Sequence, residues 1–496
     1  MTGWRGPHSL VGESLPRQKK EESMSSRRFA LLAATLTLSA PAALTAQTGL
    51  RDLLTDFLQH GITLAPPPLV GGTSHVAHFN SLDQTQFLAV RQFNQELAVQ
   101  LSSFPLASSA GGFTYRFDPA LGTFTRAAES FGPIYAERAD TIGKGKSNLG
   151  LNYSHFDFTR INDLSLKDGD LKLVFQHIDV GKYIEGDVIS ANLSLKLKSD
   201  IVAFVMTYGV SDRFDIAAAI PIVKVSLSGS TDATIQRLAT GPCPGGTPSC
   251  SDTPIHRFAG DTSSETFRDS GNASGVGDIV LRGKFRVAEG SAGGLALGAD
   301  FRLPTGEERD LLGTGAWRGR ASLIWSVHLG ALSPHINGGY TWSTNPPDDR
   351  TPEEKNPPHG GAPLPRLTIP DEVDYTVGFD WAVHPRITVA FDVIGRTFLR
   401  TEIVEVREQT FTAVTGDSNG GDCHCLPEGQ QPPHTVTAQF PRLTTRPGDV
   451  NTLLGSFGLK VNPFANLLIT ANVLFSLKRE GLQTRIAPLV GVDYSF

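Results

Sequence analysis

The chain has 496 residues, 40% of them hydrophobic and 19% charged, so it is too apolar to be intrinsically disordered. Its formal net charge of −6 comes from interspersed signs without a basic patch, which argues against nucleic acid as a partner. Downstream of residue 46, no stretch offers the roughly 20 consecutive apolar residues that a membrane helix needs. This part of the chain is therefore either soluble or crosses a membrane with β-strands.

Residues 1–46 contain an export signal. Arg27 and Arg28 form a positively charged start, residues 29–40 form an apolar core, and small residues follow. This plan is typical of a secretory signal peptide and is too short for a spanning helix. We expect cleavage just before residue 47 or four residues earlier, and the polar stretch upstream of Met24 suggests a misassigned start of translation.

Residues 47–140 lack the strand pattern of the rest of the chain. Residues 81–105 predict a helix, since apolar side chains recur near one face and Pro105 follows its end. Residues 50–69 predict a shorter helix that ends at Gly61. Two interpretations of this segment stay open: a plug that folds into a barrel lumen, or a small periplasmic appendage.

From about residue 147 onward, polar and apolar residues alternate in a series of stretches. Clear examples are "LIWSVHL" from Leu323, "VDYTVGFDWAV" from Val373 and "LLITANVLFSLK" from Leu467. Strict alternation of this length indicates β-strands with one apolar and one polar face.

The connections between these strands are alternately short and long. Tight turns rich in Gly, Pro, Asn and Asp occupy residues 209–213, 288–294, 329–334, 384–386 and 462–466. The longest alternate connections span residues 162–196, 230–274, 346–370 and 403–449. Short turns at one rim and long loops at the other are typical of an outer-membrane β-barrel.

We therefore predict an all-β fold: an antiparallel transmembrane β-barrel over residues 141–496, with a partly helical N-terminal segment. About twelve strands fit between the turns, beginning near residues 147, 197, 213, 276, 293, 317, 334, 371, 387, 450, 466 and 485. An even number suits a closed barrel of hairpins. The count becomes fourteen if residues 168–180 also pair within the membrane.

In several predicted strands every charge lies on the face opposite the apolar residues. An Arg or Lys that faces lipid near the midplane costs ~2–4 kcal/mol, whereas a wet lumen tolerates it. We therefore expect ten charged residues to line the lumen: Arg282, Lys284, Arg286, Asp300, Arg302, Arg318, Arg320, Asp374, Asp380 and Asp392. Two interpretations stay open: opposed charges that orient polar solutes in an open pore, or charges that pair with each other in a plugged lumen.

Two predicted strands change their apolar face part-way along. Around Pro221 the apolar parity moves from residues 216–220 to residues 223–227. In the first strand it moves from residues 149–153 to residues 156–158. We interpret both changes as β-bulges, and Pro in any case cannot donate to a strand ladder.

The chain ends on alternating residues that include Tyr494 and Phe496. In a membrane-embedded last strand these side chains would face lipid at the periplasmic interface, where an aromatic girdle belongs. The terminal Phe also resembles the signal that the bacterial barrel-insertion machinery reads. This machinery and outer-membrane lipid are therefore expected partners.

Two stretches resemble a known family. Residues 274–287 (SGVGDIVLRGKFRV) and 295–315 (LALGADFRLPTGEERDLLGTG) carry a Gly-x-Gly-Asp strand start, a Leu-Pro-Thr-Gly loop and a closing Leu-Gly-Thr-Gly. The matching residues are Gly275, Gly277, Asp278, Leu303, Pro304, Thr305, Gly306, Leu312, Gly313, Thr314 and Gly315. Together they are similar to the outer-membrane barrel family of the meta-pathway of phenol degradation. The resemblance implies transport of small solutes, hydrophobic or aromatic ones among them, across the outer membrane of a Gram-negative-type bacterium.

Four Cys lie in predicted long loops. A disulfide between Cys243 and Cys250 fits an oxidising compartment, whereas a link between Cys423 and Cys425 would be strained and a cross-loop pairing stays open. A metal held by Cys423, His424 and Cys425 is a weaker alternative, because no second ligand pair has the usual spacing.

The sequence contains neither a Walker loop nor a His-Glu-x-x-His motif, and we expect neither an enzyme nor a cofactor. The main functional prediction is a channel or transporter for the passive uptake of small solutes. The alternative is a structural or surface-interaction barrel that acts through its long loops. The solute and the oligomeric state stay open.

Overall fold

The alternating stretches form β-strands in the computed structural model, which describes residues 49–51, 62–65, 84–103, 105, 107–108, 112–118, 123–176, 187–236, 256–290, 292–348, 350, 352–355, 363–366, 368–415, 434–464 and 466–496. The predicted signal peptide, the Gly61 helix end and all four Cys lie outside these residues. Within them, no helix is long and apolar enough to cross a membrane.

The elements described in full are two α-helices, two short 3-10 helices (Ala259–Asp261 and Glu308–Asp310) and eighteen strands. The α-helices are α1 (Gln84–Ser102) and the short α2 (Pro352–Lys355). The strands are β1 (Tyr115–Asp118), β2 (Thr123–Arg126), β3 (Ser147–Ile161), β4 (Leu164–Ser165), β5 (Leu171–Gln176), β6 (Val188–Ser211), β7 (Phe214–Gln236), β8 (Ser264–Val276), β9 (Val280–Gly290), β10 (Gly293–Arg302), β11 (Arg318–Val327), β12 (Leu332–Ser343), β13 (Glu372–His384), β14 (Ile387–Thr415), β15 (His434–Val461), β16 (Leu467–Ser476), β17 (Leu482–Thr484) and β18 (Ala487–Ser495).

The strands from β3 onward close into an antiparallel barrel with twelve strand positions around its circumference. The last strand, β18, pairs with β3 from Leu489 opposite Ser154 to Ser495 opposite Asn148, and β3 pairs in turn with β6. Two of these positions are each filled by two consecutive short strands: β8 and β9 pair along β7, and β17 and β18 pair along β3. The predicted twelve-strand barrel is confirmed. The fourteen-strand alternative is wrong, because β5 pairs only with the N-terminal end of β6 and adds no strand to the barrel wall.

The two rims differ as the sequence predicts, but several strands are longer than expected. We call the rim of the tight turns the short-turn rim and the opposite one the long-loop rim. β6, β7, β14 and β15 have 24, 23, 29 and 28 residues. A transmembrane strand needs only about 9–11 residues. Parts of the predicted loops 162–196, 230–274 and 403–449 are therefore strand that extends beyond the membrane.

A belt of apolar side chains covers the outer face of the barrel. Phe301, Leu323 and Phe457 are 55%, 50% and 52% exposed, whereas the charged residues that alternate with them point inward. Trp317 and Tyr494 lie in this belt toward opposite rims, as aromatic girdles do in membrane barrels. The outer surface is therefore suited to acyl chains rather than to water.

The bulges predicted in two strands are wrong. β7 keeps an unbroken register with β6 through Pro221, which lies opposite Ala203. β3 likewise keeps its register with β6 from Ser147 to Phe158. The interruption instead lies in the partner of β7, because residues 277–279 separate β8 from β9.

The apolar residues change face because the strands leave the membrane. On β7, Ile220 and Ile222 are exposed on the outer face, whereas Val225 and Leu227, nearer the long-loop rim, are buried inside. Beyond the bilayer the outer face meets water, and the inner face meets a hydrophobic core that includes α1. A regular strand thus changes from apolar-out to apolar-in without a bulge.

The family-like motif forms a clamp between β9 and the loop that follows β10. The carboxylate of Asp278 accepts hydrogen bonds from the backbone N–H of Gly306 at 3.1 Å and from the N–H and hydroxyl of Thr314 at 3.1 and 3.2 Å. The hydroxyl of Thr305 donates to the carbonyl of Gly277 at 2.7 Å. The motif residues therefore meet in space and fix this loop.

Asp278→Ala should destabilise the barrel. The change leaves two buried backbone donors without an acceptor, so we expect the free energy of unfolding to fall by ~2–4 kcal/mol. Urea titration in lipid vesicles measures this value, and Asp310→Ala in the same loop is the control. Equal stabilities of the two variants would contradict the clamp.

Candidate functional site

The barrel contains part of the chain's own N-terminal region. We call the described residues within 84–142 the lumenal segment. Its first half includes α1, whose Phe93 and Leu97 are buried in the same core as Phe158 and Ile161 of β3. Its second half crosses the interior at the short-turn rim.

Amide side chains hold α1 against the wall in the long-loop half of the barrel. Gln86 exchanges two hydrogen bonds with the backbone of Val174, at 2.9 and 2.8 Å. Gln100 accepts a hydrogen bond from the N–H of Leu482 at 2.5 Å. Because these bonds go to backbone groups at defined positions, they fix the register of the helix against the strands.

Glu96 lies on the same helix with its carboxyl group buried. It accepts hydrogen bonds from Gln100 at 2.9 Å and Asn162 at 3.4 Å, while its second oxygen has no hydrogen-bond partner. Burial raises the pKa of Glu96 to about 8, although the two hydrogen bonds act in the opposite direction. The docked helix thus favours the neutral acid. The contribution of Glu96 to the free energy of unfolding is therefore fully present below its usual pKa and is lost as pH rises through about 8.

Residues 130–142 form the polar half of the lumenal segment. Its backbone N–H groups donate to wall side chains at 2.9–3.1 Å: Phe131 to Thr388, Ala139 to Ser326 and Ile142 to Asp215. The ammonium group of Lys460 donates to the carbonyl of Pro133 at 2.6 Å. The wall therefore contacts this stretch through hydrogen bonds from β7, β11, β14 and β15.

A buried ion pair between Arg138 and Asp380 ties the segment to β13. Their side chains are 2% and 0% exposed. The hydroxyl of Ser130 also donates to Asp380 at 2.5 Å. His335 lies between Asp380 and Asp392, at 3.4 and 2.6 Å. The two carboxylates thus have an arginine, an imidazole and a hydroxyl as partners, which offsets the cost of burying them.

Glu137 connects the segment to the bases of β9. Its two oxygens lie 2.6 Å from Arg282 and 3.4 Å from Lys284. Arg282 in turn pairs with Asp300 at 2.7 Å, and Asp300 also lies 3.4 Å from Arg320. The charges therefore form one network with the lumenal segment, which favours the interpretation of a plugged lumen with paired charges.

The C-terminal end of α1 meets two arginines of the wall. Arg302 donates to the carbonyl of Ser102, and Arg318 donates to the hydroxyl of Ser103 at 2.6 Å. Arg318 also pairs with Glu372 at 2.9 Å. Cations are favourable at this end of a helix because its free carbonyls carry partial negative charge.

A cavity of about 110 Å³ lies between the end of α1 and residues 135–137. Its wall includes apolar surface from Tyr135, Ile324 and Ile394. Six cations line it, namely Arg282, Lys284, Arg302, Arg318, Arg320 and Arg396, together with the carboxylates Glu137, Asp300, Glu372 and Asp374. The cavity is therefore amphipathic and richer in positive than in negative groups.

The ten residues expected to line the lumen all lie on the inward face, in contrast to their exposed apolar neighbours. Seven of them line the cavity: Arg282, Lys284, Asp300, Arg302, Arg318, Arg320 and Asp374. Asp380 and Asp392 bind His335, and Arg286 donates to the carbonyl of Asp212 at the short-turn rim. On the outer face, the rings of Tyr494 and Phe496 contact each other with centroids 4.8 Å apart. The disulfide candidates Cys243, Cys250, Cys423 and Cys425 lie outside the described residues.

Several partners of these charges were not predicted from the sequence. Glu372 shares its strand parity with Asp374, and His335 lies on the inward face of β12, so alternation contained the signal for both. Glu137 and Arg138 lie outside any strand pattern, and nothing in their spacing indicates which wall residue each one contacts.

A family model matches the middle of the chain. Residues 182–417 match the family model described as "Putative MetA-pathway of phenol degradation". The resemblance to that family is confirmed. No curated protein sequence matches the chain.

Solved structures that align with the chain include an outer membrane channel from Pseudomonas putida F1, with 12% identity, a TM-score of 0.38, and coverage of 72% of this chain and 98% of that one. A Pseudomonas aeruginosa FadL homologue has 14% identity and a TM-score of 0.30, with 79% and 98% coverage. The P. putida toluene transporter TodX has 12% identity and a TM-score of 0.23, with 71% and 89% coverage. The protein is a closed, twelve-strand antiparallel β-barrel whose apolar outer belt suits a membrane.

The Arg138–Asp380 pair allows a direct energetic test. Arg138→Gln or Asp380→Asn alone should lower the free energy of unfolding by ~3–5 kcal/mol, because each leaves a buried charge without its ion-pair partner. The double variant should lose less than the sum of the two. Urea titration in lipid vesicles measures all three values.

The control for this cycle is the partly exposed pair of Arg446 and Glu405, 2.9 Å apart. Its removal should change stability by less than ~1 kcal/mol. Strictly additive losses at Arg138 and Asp380 would contradict a direct interaction between them.

Proposed function

We propose that the protein is an outer-membrane channel for the passive passage of small solutes and that its lumenal segment acts as a plug. One observation supports this most strongly: residues 130–142 fill the lumen through ion pairs and hydrogen bonds to an ionised wall. A barrel that served only as an anchor would gain stability from an apolar filling without burying charges. A polar interior is instead typical of barrels that conduct water and solutes.

Residues 130–142 are the part of the plug that we assign to gating. Their contacts, such as Arg138 with Asp380 and Glu137 with Arg282, are polar. A typical hydrogen bond contributes a net ~0.5–1.5 kcal/mol, because water takes over both partners once they separate. α1 buries Phe93 and Leu97 in an apolar core, which water does not replace favourably. We therefore assign anchoring to α1.

Small hydrophobic or aromatic solutes are the proposed cargo. The description of the matching family names phenol degradation, whose starting compounds are aromatic. The interior of the long-loop half is rich in aromatic side chains, since Phe156, Phe158, Phe175 and Phe258 belong to the core there. Aromatic side chains bind aromatic solutes through their large apolar area and their ring edges and faces.

A second candidate function is interaction at the cell surface. β14 and β15 form a ribbon that pairs from Ile387 opposite Val461 out to Thr415 opposite His434. This ribbon is long enough to project beyond the membrane and to contact a surface partner. We propose no catalytic role, since the sequence contains neither a Walker loop nor a His-Glu-x-x-His motif.

Two further partners are proposed for the barrel itself. The apolar belt fits the acyl chains of outer-membrane lipid, and the exposed Tyr494 and Phe496 remain the proposed signal for the barrel-insertion machinery.

Conductance in planar bilayers tests the channel. The combined change Glu137→Gln and Arg138→Gln removes both charges that hold residues 130–142 to the wall, so the open fraction and the mean conductance should rise above those of the unaltered protein. The surface variant Glu405→Gln with Arg446→Gln should behave like the unaltered protein. Inserted protein that conducts in none of the three forms would contradict a channel and favour the surface-interaction alternative.

A further inference from the structure

Three arginines in the cavity wall have too few anionic partners. Arg318 pairs with Glu372 at 2.9 Å, and Arg396 lies 3.5 Å from the same carboxylate. Arg302 is an electrostatic neighbour of Arg318 and Arg396, and its hydrogen bond goes to the carbonyl of Ser102. Among the described residues, Arg302 forms no ion pair. Within the described part of the chain, Glu372 is therefore the only carboxylate that forms an ion pair with this cluster.

The other nearby carboxylates are already engaged. Asp300 pairs with Arg282 and Arg320, and Asp374 pairs with Arg320. Asp278 accepts the three hydrogen bonds from Gly306 and Thr314 that fix the loop. The end of α1 supplies only the partial negative charge of a helix C-terminus. Closely spaced guanidinium groups repel each other in a medium of low dielectric constant, so the cluster has unfilled capacity for an anion.

The free donors have the geometry that carboxylates prefer. A guanidinium group is planar, stays charged and presents its N–H groups as a fork that binds two oxygens at once. The same cavity also offers the ring of Tyr135 and, nearer the short-turn rim than Arg318 and Arg396, the side chains of Ile324 on β11 and Ile394 on β14. Charged donors and apolar or aromatic side chains in one cavity match a molecule with a carboxylate on an apolar ring.

The cavity is large enough for such a molecule. It measures about 110 Å³, whereas one water needs roughly 10–15 Å³ of such space. We infer that Arg302, Arg318 and Arg396 form a binding site for the carboxylate of a small aromatic acid. This inference rests on the proposed channel function, whose solute class it names, but binding at the site does not itself require passage.

Equilibrium dialysis of radiolabelled benzoate against the detergent-purified full-length protein tests the inference. Benzoate should bind at least about tenfold more tightly than benzyl alcohol, which has the same ring without the charge. Arg302→Gln combined with Arg396→Gln should weaken benzoate binding by about tenfold or more. Equal affinities for the two probes, or unchanged binding in this variant, would overturn the site.

A variant with the opposite expected sign excludes misfolding as the cause. Glu372→Gln removes the carboxylate that competes for the cluster, so benzoate should bind several-fold more tightly. Arg446→Gln, a partly exposed arginine outside the lumen, should bind benzoate like the unaltered protein. Weaker binding in Glu372→Gln, or displacement of benzoate by sulfate at equal concentration, would overturn the carboxylate assignment.

The binding experiment and the conductance experiment test two different claims, so one can fail without the other. Benzoate binding without conductance would support the site and contradict the channel. Conductance without benzoate binding would support the channel and overturn the site.

Discussion

Charge buried inside a membrane barrel is the constraint on which this structure depends. The inward faces of β9 to β14 carry arginine, lysine and aspartate side chains at the level of the apolar belt, and each of them needs water or a partner. Residues 130–142 supply several of these partners: Arg138 for Asp380, Glu137 for Arg282 and Lys284. The position of the lumenal segment and the charge pattern of the wall therefore determine each other.

The barrel has two zones with opposite polarity. Within the membrane the outer face is apolar and the inner face is ionised. Toward the long-loop rim, β6 and β7 continue with a polar outer face and an apolar inner face that packs around α1. The lumenal segment follows the same division, since its helix is buried in the apolar zone and residues 130–142 lie in the ionised zone. The proposed division between anchor and gate follows from this match.

Alternation in the sequence was sufficient to predict the membrane zone. Strand starts near residues 147, 213, 293 and 387 were correct within a residue, and the inward charges followed from parity because a lipid-facing Arg is costly. The same logic failed at Pro221. There the apolar face switches because the strand enters water, and a sequence pattern alone does not distinguish a change of surroundings from a bulge.

The sequence pattern did not predict the partners of the wall charges, for a different reason. Arg138 and Asp380 lie 242 positions apart, and Arg138 belongs to a stretch without regular structure. Periodicity reports which face a residue occupies and carries no information about contacts between a coil and a distant strand. The Asp278 clamp is an intermediate case, since its motif was visible in the sequence but its hydrogen bonds were not.

The most direct test of this account is a cross-link between the lumenal segment and the wall. The hydroxyl oxygens of Ser130 and Ser333 lie 3.3 Å apart, close enough for a disulfide once both residues are cysteine. In protein whose four native Cys are replaced by Ser, Ser130→Cys with Ser333→Cys should oxidise spontaneously, and both thiols should resist maleimide until reduced. Two thiols that react freely with maleimide in the folded, membrane-inserted protein would place the segment outside the barrel and contradict the account.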